Sequence, residues 1–397
     1  MDFQNVNSLN VRLNMFSGNL LPMTSDDSLF PIPWRIYSVI IWLIEMIYIC
    51  GMTLALILIP KEVLQDGGTM GFLVSIEVFV LMMRMNSRRD LISQLIKDLN
   101  GMLRSEDETM KNIVLSILKP INTPLEFYWI AGTSSLMIWS YIPLVVLSKK
   151  TYFSYSDFRV PIVLTKQPFT VEIFVLGTIL VFIGNLYLFT KKVALDVYMI
   201  NFVLLMTAQY HYIATKLAMI FRDAQDTDDK VREGCYFKIS SYAERRMRTL
   251  CRHHNSVMYI TSMLKELLSS NMSLMYLSNV FRFCFLGIML ISAILSSNLF
   301  DTFMISMFIS GGLVQLYILC LCVQQLLNAS MEITNRAFHE KWYQYESSLK
   351  RIFMLMIMSN NLVCKLSKFE KFNLSLSSFT TILNQSYSIA LLFLKMK

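Results

Sequence analysis

Residues 193–221 read VALDVYMINFVLLMTAQYHYIATKLAMIF, and this stretch decides how many times the chain crosses a membrane. It is apolar enough to pass for a span, yet it carries Asp196, Gln209, His211 and Lys216. Ionisable side chains are costly to place in hydrocarbon. The stretch is therefore either an eighth span or an extension of the preceding helix beyond the membrane, and the distribution of basic residues selects between the two.

The composition around this stretch is that of a polytopic membrane protein. Hydrophobic residues make up 54% and charged residues 16% of the 397 positions, and the mean hydropathy is +0.48. Soluble proteins carry about 25% charged residues. A membrane span needs about 20 apolar residues. Without the doubtful stretch, the sequence offers seven segments of this kind: 36–59, 69–85, 127–147, 171–190, 270–295, 303–327 and 375–394.

The basic residues favour seven spans, with the N-terminus inside and the C-terminus outside. In this arrangement 25 of the 36 Lys and Arg lie on the cytoplasmic side and 7 outside, as the excess of basic residues in cytoplasmic loops requires. Counting 193–221 as a span would move the basic segment 216–252 outside. We therefore predict an all-α, multi-pass plasma-membrane protein that binds the lipid bilayer and no nucleic acid.

Several helices are expected to continue beyond the membrane into a cytoplasmic bundle. Segments 86–105 and 347–358 carry apolar residues at helical spacing. The bundle is predicted around 86–126, 193–265 and 328–371, below a seven-helix unit over 36–394 and beside a cytoplasmic N-terminal segment, 1–35. The alternative is that these stripes lie on the lipid surface as amphipathic helices.

Three charged residues lie well inside predicted spans, away from their ends, where such groups are usually paired or functional. These are Glu45, Glu77 and Arg282. Glu77 and Arg282 could pair across the second and fifth spans, or each could snorkel or face the bundle interior. The four His are too few and too dispersed for a metal site. We therefore expect no metal, no cofactor and no enzymatic activity.

The last part of the chain carries a pattern of spaced residues. It comprises Cys320, Ser330, Ala337, Phe338, Trp342-Tyr343, residues 372–376, Phe379, Ser386-Tyr387-Ser388 and Leu391-Leu392, preceded by residues 248–254. With this pattern, residues 240–397 resemble the C-terminal signature of the insect odorant receptor family, with Phe338 in place of the more usual Tyr.

The resemblance implies an odorant-gated, non-selective cation channel. Such a subunit assembles with the odorant receptor co-receptor, as a hetero-oligomer expected to be a tetramer, and opens a central pore to permeating cations when a small volatile organic ligand binds. A gustatory receptor channel of the same superfamily is the alternative, but those chains end in a different pattern. A G-protein-coupled receptor has the opposite orientation, and its D-R-Y and N-P-x-x-Y motifs are absent from the expected places.

The resemblance also places the ligand in the outer half of the membrane domain. A pocket for a small molecule is concave and mostly apolar, with few polar groups. Tyr141 and Tyr317 could supply a hydrogen bond to an oxygenated ligand. The expected walls are Ile76, Phe79, Val80, Ser134, Met137, Ile138, Tyr141, Phe174, Gly177, Thr178, Gly312, Gln315 and Tyr317.

The seventh span, 375–394, is expected to line the pore, and two faces of it compete for that role. Read from the residues, one polar stripe forms a water-filled conduit or holds helices together; it comprises Ser377, Thr381, Gln385 and Ser388. The resemblance points to another face, with a hydrophobic gate that blocks ions by dewetting; its residues are Ser386, Ala390, Phe393 and Leu394. We expect the second face to form the narrow part.

Overall fold

The computed structural model describes residues 1–24, 30–58, 67–104, 107–145, 167–228, 236–339, 347–363 and 374–395, with 147, 150, 152–158, 160, 162–163, 165 and 342. In these residues the chain is nearly all helical. The helices are α1 (Phe3–Val6), α2 (Ser8–Phe16), α3 (Ile32–Leu58), α4 (Gly67–Ser87), α5 (Arg89–Leu103), α6 (Glu108–Val145), α7 (Val171–Asp228), α8 (Tyr236–Leu295), α9 (Leu299–His339), α10 (Ser347–Val363) and α11 (Leu376–Lys395).

The long helices have the length and surface of membrane spans. In the described part of the chain, α3, α4, α7, α8 and α9 are long and apolar enough to cross a bilayer. The 38 residues of α6 and the 20 of α11 are also long enough. Large apolar side chains remain exposed along the outer face of α3, among them Ile36, Ile40 and Leu43. A continuous apolar surface of this kind is suited to lipid.

The doubtful stretch 193–221 belongs to one uninterrupted helix, α7, which is 58 residues long. At 1.5 Å per residue this helix extends about 87 Å, more than twice the thickness of a hydrocarbon core. Its middle is buried on every side by α6, α8, α9 and α2. The stretch is therefore an extension of the fourth predicted span, and its polar residues face protein.

The apolar stripes at the extended ends of the helices are buried against one another. Leu95, Ile96 and Leu99 of α5 are fully buried, as are Phe353 and Met356 of α10. We call the assembly of α1, α2, α5 and α10 with residues 193–228 of α7, the first half of α8 and the end of α9 the extended bundle. The apolar stripes of segments 86–105 and 347–358 are therefore explained by burial within this bundle, and they do not need to lie on a lipid surface.

A break separates the second span from the apolar stripe of segment 86–105. Helix α4 ends at Ser87 and α5 begins at Arg89. Between them Arg88 leaves helical geometry, with φ −111° and ψ 26°. The stripe therefore lies on a separate helix, α5, which packs against α8 as α4 does.

The N-terminal residues are part of the extended bundle rather than a loose tail. The Phe3 ring is fully buried and stacks on Phe202 of α7, with 4.6 Å between ring centroids. The Asn100 side chain of α5 accepts a hydrogen bond from the Phe3 backbone N–H at 2.7 Å. Residues 1–24 therefore connect α5 to α7.

A polar contact joins two helices at the far end of the extended bundle. Asp107, just before α6, accepts hydrogen bonds from Lys216 Nζ at 2.6 Å and Tyr212 Oη at 2.8 Å, both on α7. Burial raises the pKa of Asp107, but the bonds from Lys216, Tyr212 and Thr109 outweigh it and hold the pKa well below its usual range. The carboxylate therefore stays ionised near neutral pH.

Candidate ligand site and pore helix

An internal cavity of about 360 Å³ lies among α4, α6, α7, α8 and α9. Its volume is within the range of sites for small organic molecules. Most of its wall is apolar, with a few polar groups at one end. It is lined by Met70, Gly71, Val74, Phe127, Tyr128, Ala131, Gly132, Ser135, Leu136, Trp139, Val160, Asn185, Leu188, Phe189, Lys192, Arg282, Leu286, Met289, Met307, Phe308, Ser310, Gly311, Gly312, Val314 and Gln315.

An aromatic cluster from the loop before α7 packs beside this cavity. The rings of Phe153 and Phe174 are stacked, with 4.2 Å between centroids, and Phe158 packs on both Phe169 and Phe174. Backbone bonds between Phe153 and Phe169, both 3.1 Å, fix the loop. Val160 of the same cluster reaches the cavity wall. The loop thus forms part of the site.

Buried charges occupy the polar end of the cavity. Lys192 Nζ donates to Glu77 Oε1 at 2.5 Å and to Asp196 Oδ1 at 3.1 Å. The Gln315 amide donates to Asp196 Oδ2 and its Oε1 accepts from Arg282 Nη1 at 2.9 Å. We call these five residues the charge network. It links α4, α7, α8 and α9 through a chain of bonds.

A second ion pair lies beside the charge network. Lys191 Nζ donates to Glu45 Oε2 of α3 and lies 3.3 Å from the centroid of the Trp42 ring. Successive residues of a helix point about 100° apart, so adjacent lysines reach different neighbours: Lys191 contacts α3 and Lys192 contacts α4. The sequence reading put both at the end of a span, but both are buried inside the protein.

The structure settles the alternatives for the charges in the spans. Glu77 pairs with Lys192 and not with Arg282. Arg282 instead bonds to Gln315 and to Asn279, one turn earlier on α8. Glu45 and Glu77 are each 3% exposed, so they face the interior and do not snorkel.

Two of the thirteen residues expected to line the pocket, Gly312 and Gln315, lie in the cavity wall. On α6, Ser134, Met137 and Ile138 are exposed on the outer surface, while Ser135, Leu136 and Trp139 line the cavity. The side chain of Tyr141 is outside the described part.

The remaining predicted residues lie at other places. Ile76 and Phe79 are 44% and 43% exposed, and Phe79 lines a separate groove of about 460 Å³ between α3 and α4. Val80 is half-buried, and Gly177 and Thr178 are buried away from the cavity wall. Phe174 belongs to the aromatic cluster. Tyr317 is 47% exposed, and its ring lies 5.9 Å from that of Phe379 on α11.

Sequence reasoning expected α7 to contribute Phe174, Gly177 and Thr178, but the α7 residues in the cavity wall lie further along the helix and are Asn185, Leu188, Phe189 and Lys192. A Cβ on Gly132 of α6 would lie 2.1 Å from the Phe189 ring. Glycine is therefore needed there for the close approach of the two helices. A signal was available in the sequence, because Asn185, Lys192 and Asp196 are polar residues within an apolar run.

The two candidate pore faces of α11 differ in their exposure: part of one face is buried, and most of the other is exposed. Ser386 and Ala390 are buried against α8, at 3% and 5% exposure. Ser377, Thr381 and Ser388 are exposed in the single chain. Gln385 accepts a hydrogen bond from Tyr276 Oη of α8 at 3.0 Å. Phe393 is 48% exposed, and the Leu394 side chain is not described.

Neighbouring glycines on α9 offer a matched test of the cavity wall. A Cβ at Gly312 would lie 3.3 Å from the Phe283 ring and 3.5 Å from Arg282 Nη2, while a Cβ at Gly311 meets nothing within 4 Å. We expect Gly312→Ala to weaken ligand potency about tenfold, which corresponds to about 1.4 kcal/mol, because its methyl group crowds Phe283 and Arg282. Gly311→Ala should leave potency within about twofold, because its methyl group meets no other atom. Dose–response curves check this; equal potencies in the two variants would contradict it.

The described residues form a nearly all-helical fold with several helices long and apolar enough to cross a membrane, and the cavity among them has the volume of a small organic molecule. The family model of the 7tm Odorant receptor matches residues 67–387. The chain therefore belongs to the odorant receptor family.

The chain is similar to individual proteins in sequence or in fold. It is 24% identical over 143 residues to Odorant receptor 67a of Drosophila melanogaster, an alignment that spans 36% of this chain and 34% of that relative. The fold is similar to that of the insect olfactory receptor OR5 from Machilis hrabei in complex with eugenol, with a TM-score of 0.78, 10% identity and 100% of both chains covered. A second structure of OR5 gives a TM-score of 0.79 at 10% identity, with 98% of this chain and 97% of that chain covered.

Proposed function

We propose that this chain is the ligand-selective subunit of an odorant-gated cation channel in the plasma membrane. The observation that carries the proposal is the cavity, which is apolar, has a volume of about 360 Å³ and lies within the helices of an odorant receptor. Machilis hrabei OR5, which shares the fold, is described in complex with the small aromatic molecule eugenol. A volatile organic molecule of similar size is the ligand we propose here.

The assembly and orientation follow the same proposal. The subunit joins the odorant receptor co-receptor in a hetero-tetramer, with the N-terminus and the extended bundle, including 1–35, 86–126, 193–265 and 328–371, in the cytoplasm. The excess of basic residues in these segments supports this orientation. The bundle also provides a rigid base of packed helices, on which subunits can meet outside the lipid.

We further propose that 375–394 lines the pore with its polar stripe. In the single chain Ser377, Thr381 and Ser388 are exposed, and polar groups in a bilayer need protein or water around them. Ser386 and Ala390 instead hold α11 against α8. At about 100° per residue, Phe393 and Leu394 lie on the other side of α11 from this stripe, so the proposal does not include the gate that the resemblance implied there.

Recording of currents tests the proposed function. The chain is co-expressed with the co-receptor, and a panel of volatiles is applied while an epitope tag on the C-terminus is labelled on intact cells. We expect surface labelling and volatile-evoked cation currents that need this chain. A complex at the surface that gives no current with any volatile, while the co-receptor alone still conducts with its own agonist, would contradict the proposal.

Cysteine modification tests which face of α11 lines the pore. We expect the open channel of Thr381→Cys to lose at least half of its current when a charged, membrane-impermeant thiol reagent is applied, because the side chain faces water. Ser386→Cys, one helical turn away and packed on α8, is the matched control and should be unaffected. The reverse pattern would favour the face that contains Ser386 and Ala390.

A further inference from the structure

We propose that the ligand of this cavity is a neutral molecule with a hydrogen-bond acceptor oxygen, held by Asn185 and Arg282. Carbonyl compounds, esters and ethers are the chemical class. The inference rests on the proposed function, since it names the ligand class for the same cavity. Its basis is a pair of buried donors that lack partners within the protein.

The first donor is the Asn185 amide on α7. Its side chain is 8% exposed and lies in the cavity wall. Oδ1 accepts a hydrogen bond from Tyr48 Oη at 2.9 Å, which fixes the orientation of the amide. Nδ2 is buried and has no partner. Buried donors are nearly always satisfied, so an unpaired amide in a cavity wall points to an acceptor supplied by the ligand.

The second donor is the Arg282 guanidinium on α8, which also lines the cavity. Nη1 and Nη2 are held by Gln315 and Asn279, but the buried Nε has no partner. A guanidinium carries only donors. The free donors on α7 and α8 therefore both require an acceptor, and a hydrocarbon ligand has no atom that could accept a hydrogen bond from either of them.

The charges around these donors decide against an acidic ligand. Lys192 and Arg282 are balanced by Glu77 and Asp196, and Lys191 is balanced by Glu45. The polar end of the cavity thus has no net charge. A carboxylate would bring an uncompensated negative charge into a site of low dielectric constant, which is unfavourable. A neutral oxygen satisfies the donors without that cost.

Arg282 also connects this contact to the pore helix. Tyr276, earlier on α8, donates to Gln385 of α11 at 3.0 Å. Further along α8, a Cβ on Gly287 would lie 4.0 Å from the Cβ of Ala390 on α11. Arg282 lies between these contacts in sequence. A ligand oxygen bound to Arg282 therefore acts on the helix that holds α11.

Pairs of molecules of equal shape test the ligand class. Acetophenone is compared with α-methylstyrene and octanal with 1-nonene, in which a methylene group replaces the carbonyl oxygen; benzoate serves as the acid. We expect at least one carbonyl compound to activate the channel, with at least tenfold greater potency than its hydrocarbon partner and than benzoate. Equal or greater potency of the hydrocarbons or of benzoate would overturn the ligand class while leaving the channel function intact. Silence of every compound and of the wider volatile panel would instead contradict the proposed function.

Substitution of the donor tests the residue. Asn185→Leu keeps the size of the side chain and removes Nδ2, so the preference for a carbonyl compound over its hydrocarbon partner should fall at least tenfold. Ser135→Ala, in the same cavity wall, should keep that preference, and Asn185→Gln should restore part of it. If Asn185 only supported the fold, Asn185→Leu would lower the potency of the carbonyl compound and that of its hydrocarbon partner by the same factor. An unchanged preference in Asn185→Leu would overturn the assignment. If this variant fails to reach the surface, Asn185→Ala, which removes Nδ2 without adding a charge, replaces it with the same expected loss.

Discussion

Replacing Lys192 with methionine is expected to abolish delivery of the receptor to the cell surface. Lys192 is 2% exposed and its ammonium group is bonded to both Glu77 and Asp196. Methionine has a similar length but no charge, so two buried carboxylates would lose their shared partner. Breaking a buried ion pair from one side costs about 3–5 kcal/mol, a large part of the total stability of a folded protein. Surface labelling and thermal unfolding of the purified receptor measure the effect.

Two further variants separate burial of charge from loss of an ion pair as such. Arg88→Met removes an ion pair with Glu266, 2.7 Å long, whose side chains are 56% and 51% exposed. Exposed pairs contribute about 0–1 kcal/mol, so this control should reach the surface normally. The double substitution Lys192→Met with Glu77→Gln leaves one buried carboxylate instead of two, and Asp196 keeps its bond from Gln315, so part of the loss should be recovered. Normal surface delivery of Lys192→Met alone would show that the charge network does not stabilise the fold.

Composition and charge were sufficient to predict the class of fold. Apolar segments long enough to span a bilayer are local features, and the all-α architecture and the family followed from them and from the pattern near the C-terminus. The extension of α7 through 193–221 was predicted from the cost of moving the basic segment 216–252 to the outside. These inferences hold because they depend on the number of apolar or charged residues, and not on which neighbour a side chain meets.

The cavity wall could not be predicted in the same way. In α6 apolar residues occur on all sides of the helix, so periodicity gives no inner face. The predicted residues Ser134, Met137 and Ile138 each lie one position away from a residue that lines the cavity, namely Ser135, Leu136 and Trp139. A shift of one residue rotates a side chain by about 100°. Only the packing of α6 against α7 fixes that rotation.

The polar positions contain more information than the apolar ones. Within apolar runs, Glu45, Glu77 and Asp196 each require a partner because burial of an unpaired charge is unfavourable. Lys191 and Lys192 supply the cations, and because they point about 100° apart on α7, one meets α3 and the other meets α4. The sequence prediction ended the fourth span at residue 190 and considered only Arg282 as a partner for Glu77, so it did not connect the two lysines with Glu45 and Glu77.

A single methyl group at Gly184 is expected to displace α3 from α7. A Cβ there would lie 2.5 Å from Cγ of Tyr48, at the base of a ring that is fully buried and cannot turn away. Insertion of atoms into a packed core costs about 1–3 kcal/mol, and this contact belongs at the upper end. Tyr48 also holds Asn185 through its 2.9 Å bond, so Gly184→Ala should reduce both the stability and the ligand response.

Gly101→Ala is the matched control, since Gly101 is also within a helix and a Cβ there meets nothing within 4 Å. Both substitutions gain about 1 kcal/mol of helix propensity, so this contribution cancels in the comparison and leaves the cost of the clash. We therefore expect Gly184→Ala to be less stable than Gly101→Ala by about 3 kcal/mol, measured by thermal unfolding in one detergent. Equal unfolding temperatures would mean that α3 and α7 can separate at Tyr48 without cost, and that the cavity tolerates movement of the wall that carries Asn185.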